Sequence, residues 1–454
     1  MTRFMTRFMT RSVNGVDLRI GPALVVPVTS APFLGWVEVT GGELVHVGPE
    51  PTAGPATQTY DAAGRIVIPA FVNTHCHTSQ QLGRGLADDV DLLTWLHKRI
   101  WPYEVALDER DSEISALACA VEQIRNGCTL VADPGGRHVD GMARGLATAG
   151  IRALLGRSTM DDGDGRPPAD RESTAEALAR QDEPASRWHG AADGRLRFSY
   201  TLRTLFNVSD ELITATVERA RTLGTVAQMH VAEIPEENAY ARATRGTSTV
   251  RHLDRLGALG PDLLAVHAVW VDDEEIGLLA ERGCPVSHNA ASNLKILGTP
   301  RIADMIDAGV VVGLGTDGAP SNNRMSVIDE MWLASIVQKG LRRDPTALPA
   351  AAVLRMATID GARALGLGHL VGSLEPGKRA DLVVIDPRTP NFATAADPVS
   401  ALVTALKSEN VESVLCDGEF LLRHRVLTRV DEAEVLAEAA ARAAAVRERA
   451  GLVF

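Results

Sequence analysis

The chain has few cysteines, and no two of them are spaced as Cys-X-X-Cys. There are five, an odd number, so neither a disulfide framework nor a thiolate zinc site is indicated. They lie at positions 76, 119, 128, 284 and 416. The sequence also lacks the run of about 18 uncharged apolar residues that a transmembrane helix needs. We therefore expect a cytoplasmic protein that has no membrane partner.

Positive charge is also scarce, because 46 lysines and arginines face 58 aspartates and glutamates, for a formal net charge of −12. Phosphate contacts need clustered basic side chains, so this balance argues against a nucleic-acid partner. A small neutral or cationic ligand fits the charge more easily. Lysine itself occurs only five times, and none lies between Lys98 and Lys295.

We expect no targeting signal in the amino-terminal residues. They read MTRF-MTRF-MTRS, without the apolar stretch of about 7 to 15 residues that a secretory signal contains. We interpret residues 1–11 as a disordered leader.

Short apolar or β-branched runs recur along the middle of the chain, and each is followed by a stretch of helical character. Eight strands that alternate with helices predict an α/β fold, a closed (β/α)8 TIM barrel, over residues 67–373. The runs are 66–77, 128–134, 151–158, 196–203, 225–233, 263–271, 285–292 and 310–318.

The two flanks of this region have a different pattern, with short alternating strands and turns in residues 12–66 and 374–430. We expect these flanks to meet in one composite β-sandwich domain, with the barrel inserted between them. The alanine-rich segment 431–454 predicts a C-terminal helix.

Polar or ionisable residues stand at the carboxyl ends of several predicted strands, the face on which such barrels carry their chemistry. In an extended chain His75 and His77 point to the same side, so both can reach one metal ion. With His230 and Asp317 they offer three imidazoles and a carboxylate, a ligand set suited to zinc or ferrous iron. The residues at the strand ends are His75, His77, Asp133, Arg203, His230, Glu233, His267, His288 and Asp317.

Several strings of the sequence resemble the amidohydrolase superfamily. They are VIPAFVNTHCH, HVAE, AVHAVW, VSHNAASNLK, GLGTDGAPSNN and MATIDGARALGLGHLVGSLEPGKRADLVVID. The similarity extends from about residue 40 to 430. Within the superfamily, the strings are similar to the branch that includes the S-adenosylhomocysteine and methylthioadenosine deaminases, the 8-oxoguanine and cytosine deaminases and the triazine hydrolases.

This resemblance implies roles for individual residues. His75, His77, His230 and Asp317 would hold one divalent metal, with zinc expected first and iron as the alternative. Glu233 would move a proton, and His267 and Asp317 would orient or deprotonate a metal-bound water. Some superfamily members bridge two metals with a carbamylated lysine on the fourth strand. The absence of lysine between positions 98 and 295 therefore implies a mononuclear site.

Five further residues are candidates for substrate binding: Glu104, Trp95, Arg157, Arg203 and His288. Glu104 matches an acid that reads ribose hydroxyls in adenosine-type relatives, although a solvated helix residue would fit there too. Arg157 matches an arginine that faces the substrate tail in homocysteine-type relatives. His288 matches a histidine near the reacting end of the substrate.

Arg203 stands near the place where adenosine-type relatives have a histidine, which weakens the case for a standard adenosine-type substrate. It could meet an anionic group or pair with an acid.

The expected activity is hydrolytic deamination of an amino-substituted nitrogen heterocycle of the purine, pterin, pyrimidine or triazine type. Metal-bound hydroxide would attack the ring carbon, Glu233 would protonate the adjacent ring nitrogen, and ammonia would leave. The alternatives are loss of chloride or an alkylamine, opening of a ring C–N bond, or a scaffold without catalysis. The relatives also imply a homodimer or larger homo-oligomer.

Overall fold

The computed structural model describes residues 15–163 and 166–452. The predicted leader, residues 1–11, lies outside the described residues. The described part of the chain forms one nine-stranded mixed sheet and two shorter parallel sheets of four and five strands.

Both flanks of the chain contribute to the nine-stranded sheet. Its strands are β1 (Val16–Val25), β2 (Phe33–Thr40), β3 (Glu43–Gly48), β4 (Ala56–Asp61), β5 (Ile66–Pro69), β15 (Leu382–Ile385), β16 (Val411–Cys416), β17 (Glu419–Arg423) and β18 (Val426–Leu427). Their order is β18-β17-β16-β15-β5-β1-β2-β3, and β4 pairs with β1. The antiparallel pair β5 and β15 joins the two flanks, with Val67 opposite Val384. The expected meeting of the flanks in one β domain is confirmed.

The two parallel sheets together form the barrel. Its strands are β6 (Phe71–Asn73), β7 (Cys128–Ala132), β8 (Arg152–Leu155), β9 (Leu196–Phe198), β10 (Tyr200–Leu202), β11 (Ala227–Val231), β12 (Leu263–His267), β13 (Val286–His288) and β14 (Val312–Leu314). The segments β9 and β10 are the two halves of the fourth barrel strand. The backbone N–H of Thr74 donates to Leu314 O at 2.8 Å, so the last strand meets the first. This closed eight-stranded barrel confirms the predicted fold class.

The first predicted strand, 66–77, differs from the structure. Ile66–Pro69 pairs with β1 and β15 and so belongs to the flank sheet, not to the barrel. The backbone N–H of Ala70 still donates to Asp381 O, whereas that of Phe71 donates to Gly127 O at the start of the barrel. The chain therefore changes sheets at Ala70, because its hydrogen-bond partner changes there. The predicted boundary at 66/67 lies inside β5.

The helices lie between the barrel strands, after the last barrel strand and in the C-terminal part of the chain. They are α1 (Leu92–Trp95), α2 (Trp101–Ala106), α3 (Glu109–Arg125), α4 (Val139–Ala149), α5 (Thr174–Trp188), α6 (Asp210–Leu223), α7 (Pro235–Arg245), α8 (Thr249–Arg255), α9 (Asp273–Arg282), α10 (Ala290–Ser292), α11 (Ile302–Asp307), α12 (Ala319–Asn322), α13 (Val327–Arg342), α14 (Ala350–Met356), α15 (Ile359–Ala364), α16 (Pro398–Thr404) and α17 (Glu432–Arg449). Short 3₁₀ segments are Thr78–Gly83, Pro168–Asp170 and Ser408–Asn410, and π-helical turns are Leu96–Ile100 and Asn293–Leu297.

The last helix, α17, lies within the segment predicted to be a C-terminal helix. Its first turn is capped by Asp431, whose carboxylate accepts hydrogen bonds from the backbone N–H groups of Ala433 and Glu434. Among the described helices, none is both long enough and apolar enough to cross a membrane.

Candidate metal centre and catalytic site

Three histidines and an aspartate converge at the carboxyl end of the barrel strands. His75 and His77 follow β6, His230 lies in β11, and Asp317 follows β14. The Nε2 atoms of His75 and His77 lie 3.5 and 3.4 Å from Asp317 Oδ1. One ring nitrogen from each of the three histidines lies within 4.8 Å of the others. These four side chains, the metal cluster below, are close enough to share one ion.

The donor atoms of the metal cluster suit a divalent metal ion. Within the described residues, both ring nitrogens of His75 and the Nδ1 atoms of His77 and His230 are buried without a hydrogen-bond partner. Burial lowers the pKa of each of these imidazoles, so the rings are neutral at pH 7 and keep a lone pair. Neutral imidazole nitrogens with a carboxylate oxygen are ligands that zinc and ferrous iron accept. The residues present therefore fit such an ion.

A sharp turn after β11 brings Glu233 to the metal cluster. In a continuing strand, His230 and Glu233 would point to opposite faces, because side chains alternate. Ala232 between them adopts a left-handed backbone conformation, with φ at 50°. This turn directs Glu233 back toward the side of His230, and both side chains line the same cavity.

Glu233 contacts His267, at the end of β12. The Oε1 atom of Glu233 lies 3.2 Å from Nε2 of His267. On the other side of the ring, Nδ1 lies 2.8 Å from the acceptor Asn293 Oδ1 and 3.1 Å from Asn289 Nδ2, and the shorter contact favours a proton on Nδ1. Burial disfavours the charged ring, but the hydrogen bond to Glu233 and its negative charge raise the pKa of His267 above its usual value. The Nε2 atom of His267 can therefore donate a hydrogen bond to the Glu233 carboxylate.

The loop after β14 holds Asp317 against the first strand. The backbone N–H groups of Thr316 and Asp317 both donate to the carbonyl oxygen of His75, at 3.0 and 2.9 Å. The Ser292 hydroxyl donates to Oδ2 of Asp317 at 2.6 Å. Oδ1 is the carboxylate oxygen that faces His75 and His77.

The cavity in front of the metal cluster has one polar end and apolar walls. Glu233, His267 and Asp317 line the polar end, together with His77 and His230. A cavity with apolar walls and a few convergent polar groups suits a flat heteroaromatic ring. The apolar walls are Leu92, Leu93, Trp95, Leu96, Phe206, Ile296 and Leu297.

Arg203 also lines this cavity, and Glu104 lies next to it. The guanidinium Nη2 is 3.9 Å from Glu104 Oε2, and the other carboxylate oxygen accepts a hydrogen bond from Gln80 Nε2 at 2.9 Å. Both Arg203 and Glu104 are largely buried. Arg203 therefore pairs with an acid, Glu104, beside the cavity, which is one of the two roles expected for it.

The structure does not bring Arg157 or His288 into the lining of the cavity. The Arg157 guanidinium forms two hydrogen bonds with Glu172, at 3.0 and 2.6 Å, so its donors face an internal carboxylate. His288 is buried, and burial lowers its pKa to about 3. Its Nδ1 lies 3.3 Å from Asn293 Nδ2, so it adjoins the support of His267.

The sequence reasoning missed several residues of the site, among them Ser292, Asn293, Glu237 and Phe206. Ser292 and Asn293 stand in the string SHNAASNLK, and Glu237 lies four positions after the end of HVAE, so residues close to the recognised motifs were the available signal. Phe206 has no such signal, because only the course of the loop after β10 brings it to the cavity.

A closed (β/α)8 barrel that carries such a ligand set and an acid–base pair at its carboxyl rim defines a metal-dependent hydrolase. The sequence profile of the Amidohydrolase family matches residues 66–421. The chain belongs to the amidohydrolase family, as the resemblance of its motifs indicated. It is an enzyme that hydrolyses non-peptide C–N bonds.

Individual relatives are similar to this chain over nearly its whole length. A 5'-deoxyadenosine deaminase from Methanothermobacter thermautotrophicus is 38% identical over 410 residues, which cover 90% of this chain and 94% of that protein. A 5-methylthioadenosine/S-adenosylhomocysteine deaminase from Desulforudis audaxviator is 36% identical, covering 93% and 97%. The crystal structure of an adenosine deaminase from Xanthomonas campestris with bound zinc matches with a TM-score of 0.90 and 32% identity, covering 96% and 99%.

Proposed function

We propose that the protein is a metal-dependent hydrolytic deaminase of amino-substituted nitrogen heterocycles, with compounds that contain an adenine ring as the first substrates to test. One observation carries this proposal: the Glu233–His267 pair, 3.2 Å apart, adjoins the metal cluster at the polar end of an apolar-walled cavity. The names of the relatives support the adenine ring as the reacting group.

His75, His77, His230 and Asp317 would hold the metal, and we propose zinc, which is bound in the Xanthomonas adenosine deaminase. When bound, such an ion lowers the pKa of a coordinated water to about 7 and so supplies a nucleophile. Replacing a ligand should remove the ion. We expect His77→Asn to lose the metal in elemental analysis of the purified protein. The control His369→Asn, at an exposed position, should retain it.

The proton transfers fall to Glu233 and His267. The Glu233–His267 pair would deliver a proton to the ring nitrogen next to the carbon that water attacks. Asp317 would accept a proton from the attacking water. The reaction consumes one water, forms a C–O bond, breaks the C–N bond and releases ammonia.

For substrate recognition, we propose that Trp95 and the other apolar walls sandwich the ring, and that Arg203 donates to an acceptor on the substrate. The Glu104 carboxylate lies 3.9 Å from the Arg203 guanidinium and can accept a hydrogen bond from a substrate hydroxyl. His288 would act through Asn293. We propose no substrate contact for Arg157, because both of its Nη groups donate hydrogen bonds to the Glu172 carboxylate.

Ammonia release over a panel of adenine nucleosides, free purines, pterins, pyrimidines and triazines tests the proposed activity. We expect turnover of one or more adenine-containing compounds by the zinc-loaded enzyme. Chloride or alkylamine release from triazines without ammonia release would favour the alternative leaving groups. A protein that stays inert on every compound after zinc is restored would contradict the proposal.

We also propose a cytoplasmic homodimer or larger homo-oligomer. The five cysteines are all free and buried, which suits a reducing compartment. Trp332 and Ile336, one turn apart on α13, are 47% and 40% exposed and could form part of a subunit interface. Light scattering on the purified enzyme measures the assembly, and a monomer at micromolar concentration would contradict this part.

A further inference from the structure

We propose that Glu237 is a positioning residue, which holds the turn that presents Glu233 to the substrate. Its side chain is fully buried in the first turn of α7 and does not line the cavity. It therefore acts through Glu233 rather than on the substrate. The inference rests on the proposed role of Glu233 in proton transfer.

The turn needs support because its conformation is unfavourable for the residue that adopts it. Ala232 has a φ of 50°, a left-handed conformation that residues with a Cβ atom rarely adopt. Such conformations persist where surrounding contacts stabilise them. Without this turn, Glu233 would point away from the side of His230.

The carboxylate of Glu237 accepts hydrogen bonds from the two backbone N–H groups of the turn. Oε1 accepts from Ala232 N at 3.0 Å, and Oε2 accepts from Glu233 N at 3.1 Å. On the other side, the carbonyl oxygen of Ala232 accepts from Trp270 N at 3.0 Å. The peptide groups on either side of Ala232 are therefore held, and the direction of the Glu233 side chain is determined.

Burial and the charge of Glu233 raise the pKa of Glu237 to about 8, and the two backbone N–H groups oppose this rise because they favour the ionised form. The carboxyl group presents one oxygen acceptor to each N–H group. Glutamine in place of Glu237 would present one acceptor and one NH2 donor, and the donor would face a backbone N–H. Aspartate keeps two acceptors on a side chain that is shorter by one methylene. The neighbouring Glu236 is exposed and serves as a matched control.

The experiment compares Glu237→Gln, Glu237→Asp and Glu236→Gln as full-length, zinc-loaded enzymes. We expect Glu237→Gln to lower kcat by about 10- to 100-fold, with KM and the metal-to-protein ratio within about twofold of wild type, because a misplaced proton donor affects mainly the chemical step. Glu237→Asp should recover part of kcat, and Glu236→Gln should match wild type. In the absence of substrate, amide hydrogen exchange over residues 231–236 should be faster in Glu237→Gln.

The possible results separate this inference from the proposed function. A wild-type kcat in Glu237→Gln, or a parallel loss of kcat and metal content, would overturn the positioning role. If Glu237→Gln fails to fold, Glu237→Asp decides: an intermediate kcat at unchanged KM supports the role, and a wild-type kcat overturns it. If the wild-type enzyme itself deaminates no compound, the proposed function fails, whereas hydrogen exchange still tests the contact of Glu237 with the turn.

Discussion

Non-glycine residues with left-handed backbone conformations lie in or beside the metal cluster, each at or just after a strand end. Such conformations cost about 1–2 kcal/mol for a residue with a Cβ atom, and they gather at functional sites where other contacts outweigh that cost. Here they bend the chain so that side chains turn back over the barrel mouth. They are Ala232 (φ 50°), His267 (φ 73°), Ala268 (φ 46°) and Asp317 (φ 61°).

At the residue scale, replacement of Glu233 tests the proton transfer directly. Glu233→Gln keeps the size of the side chain but removes its ability to carry a proton. We expect kcat to fall by about 10²- to 10⁴-fold. Metal content should be unchanged, because the metal cluster does not include Glu233. Steady-state kinetics together with elemental analysis measures both, and substantial remaining turnover would contradict the assigned role.

The residues that support the proposed metal ligands and proton-transfer groups were harder to predict than those side chains themselves. His75, His77, His230 and Asp317 stood out because they recur at strand ends, which is a pattern along the chain. Ser292 contacts Asp317, and Asn293 contacts His267. The sequence around these two residues does not indicate which partner each one meets.

At the element scale, ion pairs join the C-terminal helix α17 to α3 of the barrel. Arg442 of α17 donates to Oδ1 of the buried Asp111 in α3 at 2.9 Å, and Arg449 also pairs with that carboxylate. Val446 of α17 is fully buried. The alanine-rich sequence explains why the segment is helical, and these contacts explain where the helix lies.

The cap of α17 provides a test of how much this helix contributes to stability. Asp431→Ala removes the acceptor for two backbone N–H groups of the first turn. We expect the free energy of unfolding in urea to fall by about 0.5–2 kcal/mol. The control Glu448→Ala, at an exposed position in the last turn, should change it by less. Equal values for both variants would show that the cap has no special contribution.

The first barrel strand shows the limit of prediction at this scale. Residues 66–77 read as one apolar run, yet Ile66–Pro69 pairs with β15 and Phe71–Asn73 pairs with β7. Both halves are buried on all sides, so their apolar pattern is the same. The choice of sheet depends on partners about 60 and 310 residues away in the chain, which the run itself does not reveal.

For the whole molecule, a buried charge network joins the barrel to the flank sheet. Arg152 of β8 lies 3.1 Å from Asp381 Oδ1 and 2.6 Å from Asp417 Oδ1. Arg195 and Arg379 also pair with Asp417. Asp417 thus links arginines from both parts of the molecule, so the network orients one domain on the other.

Asp417→Asn should weaken the junction in a pH-dependent way. Burial opposes ionisation of Asp417, but the nearby guanidinium groups outweigh it and hold the pKa of the carboxyl below its usual value. Its contribution is therefore full above the unfolded-state pKa of about 4 and is lost as the pH falls through the lower folded-state pKa. We expect the variant to lose about 3–5 kcal/mol of unfolding free energy at pH 7.

The measurement is urea unfolding of wild type and Asp417→Asn from pH 7 down to pH 3. The difference between the two proteins should be constant above about pH 5 and shrink below about pH 4, because the Asp417 carboxyl of the unfolded wild-type chain then takes up a proton. Glu281→Gln, in an exposed pair with Arg282, should stay within about 1 kcal/mol of wild type. A difference that grows toward acid pH would contradict this account.

Alternation of strands and helices and the recurrence of ionisable residues at strand ends were enough to predict the barrel, the meeting of the flanks and the strand ends at which the site lies. These features repeat along the chain, so the sequence of each short segment is enough to reveal them. The tertiary structure alone decided that Arg157 pairs with Glu172, that Arg203 lies against Glu104 beside the cavity, and that Glu237 supports the turn of Glu233. Such contacts depend on how separate loops pack over the barrel mouth, and no spacing within one segment encodes that arrangement.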